Sequence, residues 1–320
     1  MLFRSVTLNN HDLVLAPAAS NLTLSGGVTG TGNLSLATTG AGTITLSTAS
    51  VNNTGTISNT GTGAGTSTIS AAVGSNVTAI TENSATSALT VSGALTVNAG
   101  GTTLTNSNAS GSALLTVSGG ITGTGNVVLN NNSAIANGVT VSGTSVNNVG
   151  TVTNSGTGTG ATAISAVIGT NVTGVVENSA TSTLTLSGAN TFSGGTTIKS
   201  GTAAGTVAAA FGTGTITIGD TSGSANATLS GGLAGTFTNA ISVASGNTGT
   251  AKITDSAASI FSGAVTLNNH DLVLAPAASN LTLSGGVTGT GNLSLATTGA
   301  GTITLSTTDR KSTRLNSSHT

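Results

Sequence analysis

The chain has no cysteine, tryptophan or tyrosine, two prolines among 320 residues, and only 4% charged side chains. Each absence excludes something. Without cysteine there is no disulfide framework and no thiolate metal site. A compact core of this length normally fills its irregular volume with aromatic rings. Here Val, Ile, Leu and Ala must do the filling, which suits a thin core of constant cross-section. Apolar runs such as VAAAF at 207–211 are far too short to span a bilayer. What remains is 48 glycines among abundant Thr, Ser and Asn.

The few charges are unevenly placed. DRKSTRLNSSH at 309–319 holds three of the six basic residues. This segment resembles the in-frame translation of a short-read sequencing adapter, and MLFRS at 1–5 resembles that of the adapter's reverse complement. Residues 1–5 and 309–320 are therefore set apart from the fold as expected artefacts. The start residue is the only Met, so 6–308 is expected to be an interior piece of a longer chain. Within it stand Lys199 and Lys252 against Asp12, Glu82, Glu177, Asp220, Asp255 and Asp271, a net charge of −4. No basic patch exists for nucleic acid.

Self-similarity organises this region. Residues 6–48 recur unchanged at 265–307, which reads either as a tandem duplication or as one stretch of DNA assembled twice. Residues 50–93 align without gaps to 145–188 and share 28 of 44 positions, with exchanges that preserve side-chain size and strand preference. Repetition at a fixed spacing points to a repeat architecture. Apolar residues come two apart, as in Leu13/Leu15, Leu22/Leu24, Leu34/Leu36, Ile44/Leu46, Leu184/Leu186 and Ile216/Ile218. Period two puts both members on one face of a strand, with Thr or Ser between them facing out. Gly, Asn and Ser fill the gaps as turn formers. The expectation is all-β: a β-solenoid of coils of about 20 residues, stacked about 4.8 Å apart. Asn pairs such as Asn52-Asn53 and Asn147-Asn148 could stack as amide ladders at its corners.

The segment LTLSGANTFSGGTTIKSGT at 184–202 resembles the autotransporter-associated β-strand repeat of large bacterial surface proteins. Ser187, Gly188, Ala189, Asn190, Phe192, Gly194, Gly195, Thr196, Thr197 and Ile198 carry the resemblance, and 91–107 is a degraded version. The continuation after residue 202 lacks the family's Leu-x-Leu. The resemblance implies a right-handed parallel β-helix exported to or beyond the outer membrane. It also implies a longer chain ending in a membrane barrel or other anchor, and it brings no catalytic residues.

Candidates for chemistry are sparse. Catalytic β-helices need clustered carboxylates and cations to stabilise developing charge, and these six acids are scattered. Glu82 and Glu177 occupy equivalent repeat positions, which reads as a turn or surface role. His11-Asp12 and His270-Asp271 are one duplicated turn. Asp220, Lys252 and Asp255 form the only local cluster, yet Lys252 and Asp255 should face opposite sides of a strand. Gly158-Thr-Gly160-Ala-Thr-Ala163 matches a dinucleotide pattern but lacks the helix that pattern needs. No catalytic residue, cofactor or metal site is assigned. The expected function is a non-enzymatic adhesin, spacer or matrix component acting on glycans or cell surfaces. The alternatives are a non-catalytic fragment of a carbohydrate-active enzyme, and ice binding through Thr-x-Thr rows, hinted at by Thr43-Ile-Thr45 and Thr215-Ile-Thr217.

Overall fold

The computed structural model describes residues 2, 3, 5–277, 279–297 and 299–306; the adapter-like tail at 309–320 lies outside them. Among the described residues there are only strands, turns and irregular segments, with no helix. The chain divides into two compact units, Met1–Val172 and Thr173–Thr320. Each is a β-solenoid of stacked parallel coils, consistent with the right-handed parallel β-helix expected.

In the first unit a coil contributes strands to three faces. One coil runs through Leu95–Val97, Thr102–Asn106 and Leu115–Val117, and these pair in register with Ile121–Gly123, Val127–Asn131 and Val139–Val141 of the next. The Leu-x-Leu rule holds: in Leu34–Leu36 and Ile44–Leu46 the outer two residues are buried and the middle one faces out. Parallel stacking largely puts like on like, so Leu34 sits below Ile57 and Leu46 below Ile69. The interior is thus a set of apolar columns, each fully buried Leu or Ile contributing about 1.5–3 kcal/mol.

The coils of the first unit are longer than 20 residues, whereas the second unit has strides of 19 and 20, from Leu184 to Ala203 and from Thr196 to Ile216. Leu13 pairs with Leu34, and Leu89 with Leu115, strides of 21 and 26. Three faces and their corners need that length, whereas strand spacing in the sequence reveals only the faces.

In the second unit the stretch carrying the family resemblance makes an exceptional coil. Thr196–Gly205 is one ten-residue strand that serves two faces: Thr196–Ile198 pair with Ile216–Ile218, and Gly201–Gly205 with Ala227–Gly231. Its corner is Gly201, whose φ of +78° strains any residue with a Cβ. Asn190 pins the preceding loop to the next coil, donating from its backbone N to Ala209 O (3.2 Å) and from Nδ2 to Ala210 O (2.6 Å). Phe192 begins an aromatic set with no counterpart among the described side chains of the first unit. Phe192, Phe211, Phe237 and Phe261 are all fully buried. Phe237 lies 5.5 Å from Phe211 and stacks at 5.1 Å on Phe261.

The Asn pairs do not form amide ladders. They divide their work between two coils. Asn52 Oδ1 accepts the backbone N–H of Asn76 above (2.9 Å), while buried Asn53 donates through Nδ2 to Gly32 O below (2.8 Å). Asn147 and Asn148 repeat this with Asn171 (3.0 Å) and Gly125 (2.7 Å). Corner backbone groups lie outside the strand ladders and still need partners, and a side-chain amide reaching one coil supplies them.

Candidate functional site

Among the described residues the ionisable side chains do not converge. Glu82 and Glu177 are not at the surface: both are fully buried and point inward. Glu82 is the middle of a polar column, in register with Asn59 on one side and Asn106 on the other. Its Oε2 accepts from Asn59 Nδ2 (2.8 Å) and its Oε1 from the Ser84 backbone N–H (2.6 Å). Burial raises its pKa to about 7, against the lowering effect of these bonds. In the second unit Glu177 Oε1 accepts likewise from Ser179 N (2.7 Å). A carboxylate so enclosed holds coils together rather than meeting a substrate. The SA-x-S turn that follows each Glu is the signal sequence reasoning missed, because it returns the chain over the acid.

The expected cluster separates. Asp220 pairs with Lys199 (Nζ–Oδ1 3.5 Å). The Thr221 backbone N–H first, and then the Lys199 charge, hold its carboxyl below the usual range. Lys252 points outward and Asp255 inward, on opposite faces as period two requires. Burial pushes the Asp255 carboxyl up, while its Oδ1 accepts from Ala277 N (3.3 Å). Asp12 and Asp271 lie in exposed turns and cap the next coil, accepting from Asn33 N (2.8 Å) and Asn292 N (2.7 Å). His270 Nδ1 meets the Asp271 carbonyl oxygen at 2.8 Å. Gly158 to Ala163 runs into the strand Thr162–Ile164, with no helix after it. No group of three His, Asp or Glu that could hold a metal occurs among the described residues. Nor is any helix there long and apolar enough to cross a membrane.

What the fold does assemble is a hydroxyl array. Thr23, Thr45, Thr68, Thr90, Thr116 and Thr140 form one unbroken column, each in register with the next. All six face outward, partly exposed, and all but Thr23, whose neighbour Leu22 is half-buried, lie between buried neighbours. Two residues on, Ser25, Ser47, Ser70, Ser92, Ser118 and Ser142 occupy the strand ends on the same face. The Ser ends stay in step because their backbone N–H groups continue the ladder, as from Ser47 to Leu24 O (2.9 Å) and from Ser118 to Val91 O (2.8 Å). The array therefore has a rise of about 4.8 Å between coils and about 6.8 Å between its two ranks. Thr-x-Thr recurs poorly in the sequence; Thr-x-Ser recurs once per coil. The array can offer many weak, identical polar contacts at fixed spacing. It contains no group that titrates near neutrality. No family model matches the chain, and neither a curated protein nor a solved structure matches it.

Proposed function

We propose that this protein is a non-enzymatic repeat protein of the bacterial surface or its surroundings, similar to an autotransporter passenger, that adheres through repetition. The carrying observation is the Thr-x-Ser array over six consecutive coils of the first unit. Single hydroxyl contacts are weak in water, but contacts linked on one rigid face gain through effective concentration. Glycans, themselves periodic and rich in hydroxyls, are the matching ligand class. The separation of the ionisable groups supports the non-enzymatic reading, since general acid–base catalysis needs a positioned titratable group.

The test is adsorption of the 320-residue chain to immobilised polysaccharides and to intact cells. Replacing Thr68 alone by Lys should weaken adsorption by less than about threefold. Replacing Thr45, Thr68, Thr90 and Thr116 together should weaken it by roughly a hundredfold, because avidity compounds. Adsorption that ignores the fourfold variant, or a hydrolase or lyase activity lost in Asp255→Ala, would overturn the proposal.

The once-per-coil recurrence also favours a second reading, ice binding, over a fragment of a carbohydrate-active enzyme. Its check is thermal hysteresis and altered crystal habit, both abolished by the same fourfold variant.

A further inference from the structure

Asn137 and Gly138 form the one Asn-Gly pair in the sequence. They close the turn that leads into Val139–Val141, the strand carrying Thr140 at the upper end of the hydroxyl column. The fold requires both residues. Asn137 stands at φ +55°, a left-handed conformation that Asn tolerates better than most side chains. A Cβ on Gly138 would meet Asn131 Oδ1 at 2.5 Å. Asn131 is buried and cannot step aside, because its amide is bonded to Ile135 O (3.0 Å), Ala161 O (2.9 Å) and Ser133 Oγ (2.7 Å).

The pair is both open to water and wired into the stack. Asn137 is exposed, and its carbonyl accepts from Thr140 Oγ1 (2.9 Å). The Gly138 carbonyl accepts from Leu115 N (3.0 Å) and Asn106 Nδ2 (2.8 Å) of the coil below. One bond holds the Gly138 nitrogen, which donates to Ile135 O (3.0 Å). That bond closes a single turn at an exposed corner, outside any strand ladder, and such turns open locally at low cost. Without a Cβ on Gly138, nothing of its own side chain shields that nitrogen once the turn opens.

We propose that Asn137 is a site of spontaneous deamidation, and that its conversion weakens the upper end of the hydroxyl array. The Gly138 nitrogen attacks Cγ of Asn137 and forms an N–Cγ bond. The bond from Cγ to the side-chain amide nitrogen breaks, and ammonia leaves with the proton that the Gly138 nitrogen gives up. One water then opens the resulting five-membered imide. Opening at Cγ gives aspartate; opening at the α-carbonyl gives isoaspartate, with the main chain running through the former side chain. The net change is amide plus water to carboxylate plus ammonium, with no oxidant or cofactor. Either product places a negative charge beside Thr140, in an array whose Thr and Ser side chains carry none. Isoaspartate also lengthens the main chain by one carbon, which shifts Gly138 O against its donors Leu115 N and Asn106 Nδ2. The chemistry stands on the turn alone, whereas its effect on adhesion rests on the function proposed above.

The test is to age the folded 320-residue chain at pH 8 and 37 °C. Isoelectric focusing follows the charge, and mass spectrometry of peptic peptides, cut in acid to halt the reaction, locates the change. Asn137 should be the first asparagine to gain the mass of an amide-to-acid exchange, and an isoaspartate-specific methyltransferase should label the same peptide. Asn137→Gly keeps the left-handed turn without the amide. It should remove the first acidic species and leave the circular dichroism spectrum unchanged. Aged chain should adsorb to polysaccharide less than fresh chain, and aged Asn137→Gly should not. Another asparagine changing first, an acidic species that forms as fast in Asn137→Gly, or conversion only in urea would overturn the site. Full conversion at Asn137 with undiminished adsorption would overturn its effect on the array. Conversion in a chain that never adsorbed when fresh would sink the adhesive reading and leave the modification site standing.

Discussion

Glu82 accepts a hydrogen bond from Asn59, one coil away, at 2.8 Å inside an interior where both side chains are fully buried. The pair begins the polar part of its column: Leu36 occupies the matching position one coil below Asn59, and Asn106 the one above Glu82. Burial opposes the charged form of Glu82 more strongly than its donors favour it, and so its pKa rises from 4.5 to about 7.

That shift makes stability depend on pH. The folded state holds the Glu82 proton more tightly than the unfolded state. Its contribution is therefore fully present below pH 4.5 and is lost as pH rises through about 7. The loss amounts to on the order of 3 kcal/mol. Urea unfolding at pH 4 and pH 8 should show lower stability at the higher pH. Glu82→Gln should flatten that difference, and an unchanged slope in the variant would refute the assignment. Asp255, whose pKa is also raised by burial, should leave a residual slope.

The second unit depends on its rings. Phe237 fills the space between Phe211 and Phe261, at 5.5 Å and 5.1 Å. Phe237→Ala should destabilise this unit by about 3–5 kcal/mol, with hydrogen-exchange protection lost first between Phe211 and Phe261. Phe237→Leu should lose less than half of that. Equal losses from the two variants would mean that ring shape and stacking, rather than filled volume, carry the contribution.

Much of this fold was legible in the sequence, because a solenoid is locally periodic. The pairs Leu34/Leu36 and Ile44/Leu46 are inward columns, and the strands at Gly55–Asn59 and Gly150–Asn154 fall at equivalent positions of the diverged repeat. The third face was harder to see. Between the strands Val28–Thr31 and Leu95–Val97 it is reduced to single bridges such as Val51 to Val73, which leave no period-two trace. Glu82 reads as a surface residue in the sequence because charge normally reports exposure. Its burial depends on partners 23 and 2 residues away, Asn59 and Ser84. The hydroxyl array is invisible to a Thr-x-Thr pattern because its second rank is Ser.

The surface ion pair should matter little. Lys199 and Asp220 are 40% and 30% exposed, so water and salt screen them. Asp220→Ala should change stability by less than about 1 kcal/mol and leave adsorption unaltered. A larger effect would point to the Thr221 N–H that Asp220 accepts at 2.8 Å rather than to the ion pair. Lys199→Ala, which keeps that bond, separates the two.

The coil-spanning asparagines should respond in opposite ways to loss of their donor. Asn33 uses only Oδ1, accepting from Thr56 N (3.0 Å) and Thr56 Oγ1 (2.9 Å) at an exposed corner. Aspartate does the same work natively: Asp12 accepts from Asn33 N, and Asp271 from Asn292 N. Asn33→Asp should therefore lie within about 0.5 kcal/mol of the parent, while Asn33→Ala should lose about 1 kcal/mol with the bond. Asn53 works the other way, donating from Nδ2 to Gly32 O (2.8 Å) and Thr56 O (3.3 Å) in a fully buried position. An ionised carboxylate there has no proton to donate, and it would face two carbonyl oxygens without a counter-charge. Asn53→Asp should accordingly destabilise the first unit by at least about 3 kcal/mol at pH 8, and less at pH 4, where the protonated acid can donate one bond. Urea titrations of the three variants at both pH values would decide it. If Asn33→Asp and Asn53→Asp behaved alike, the division of labour between outer acceptors and inner donors would be wrong.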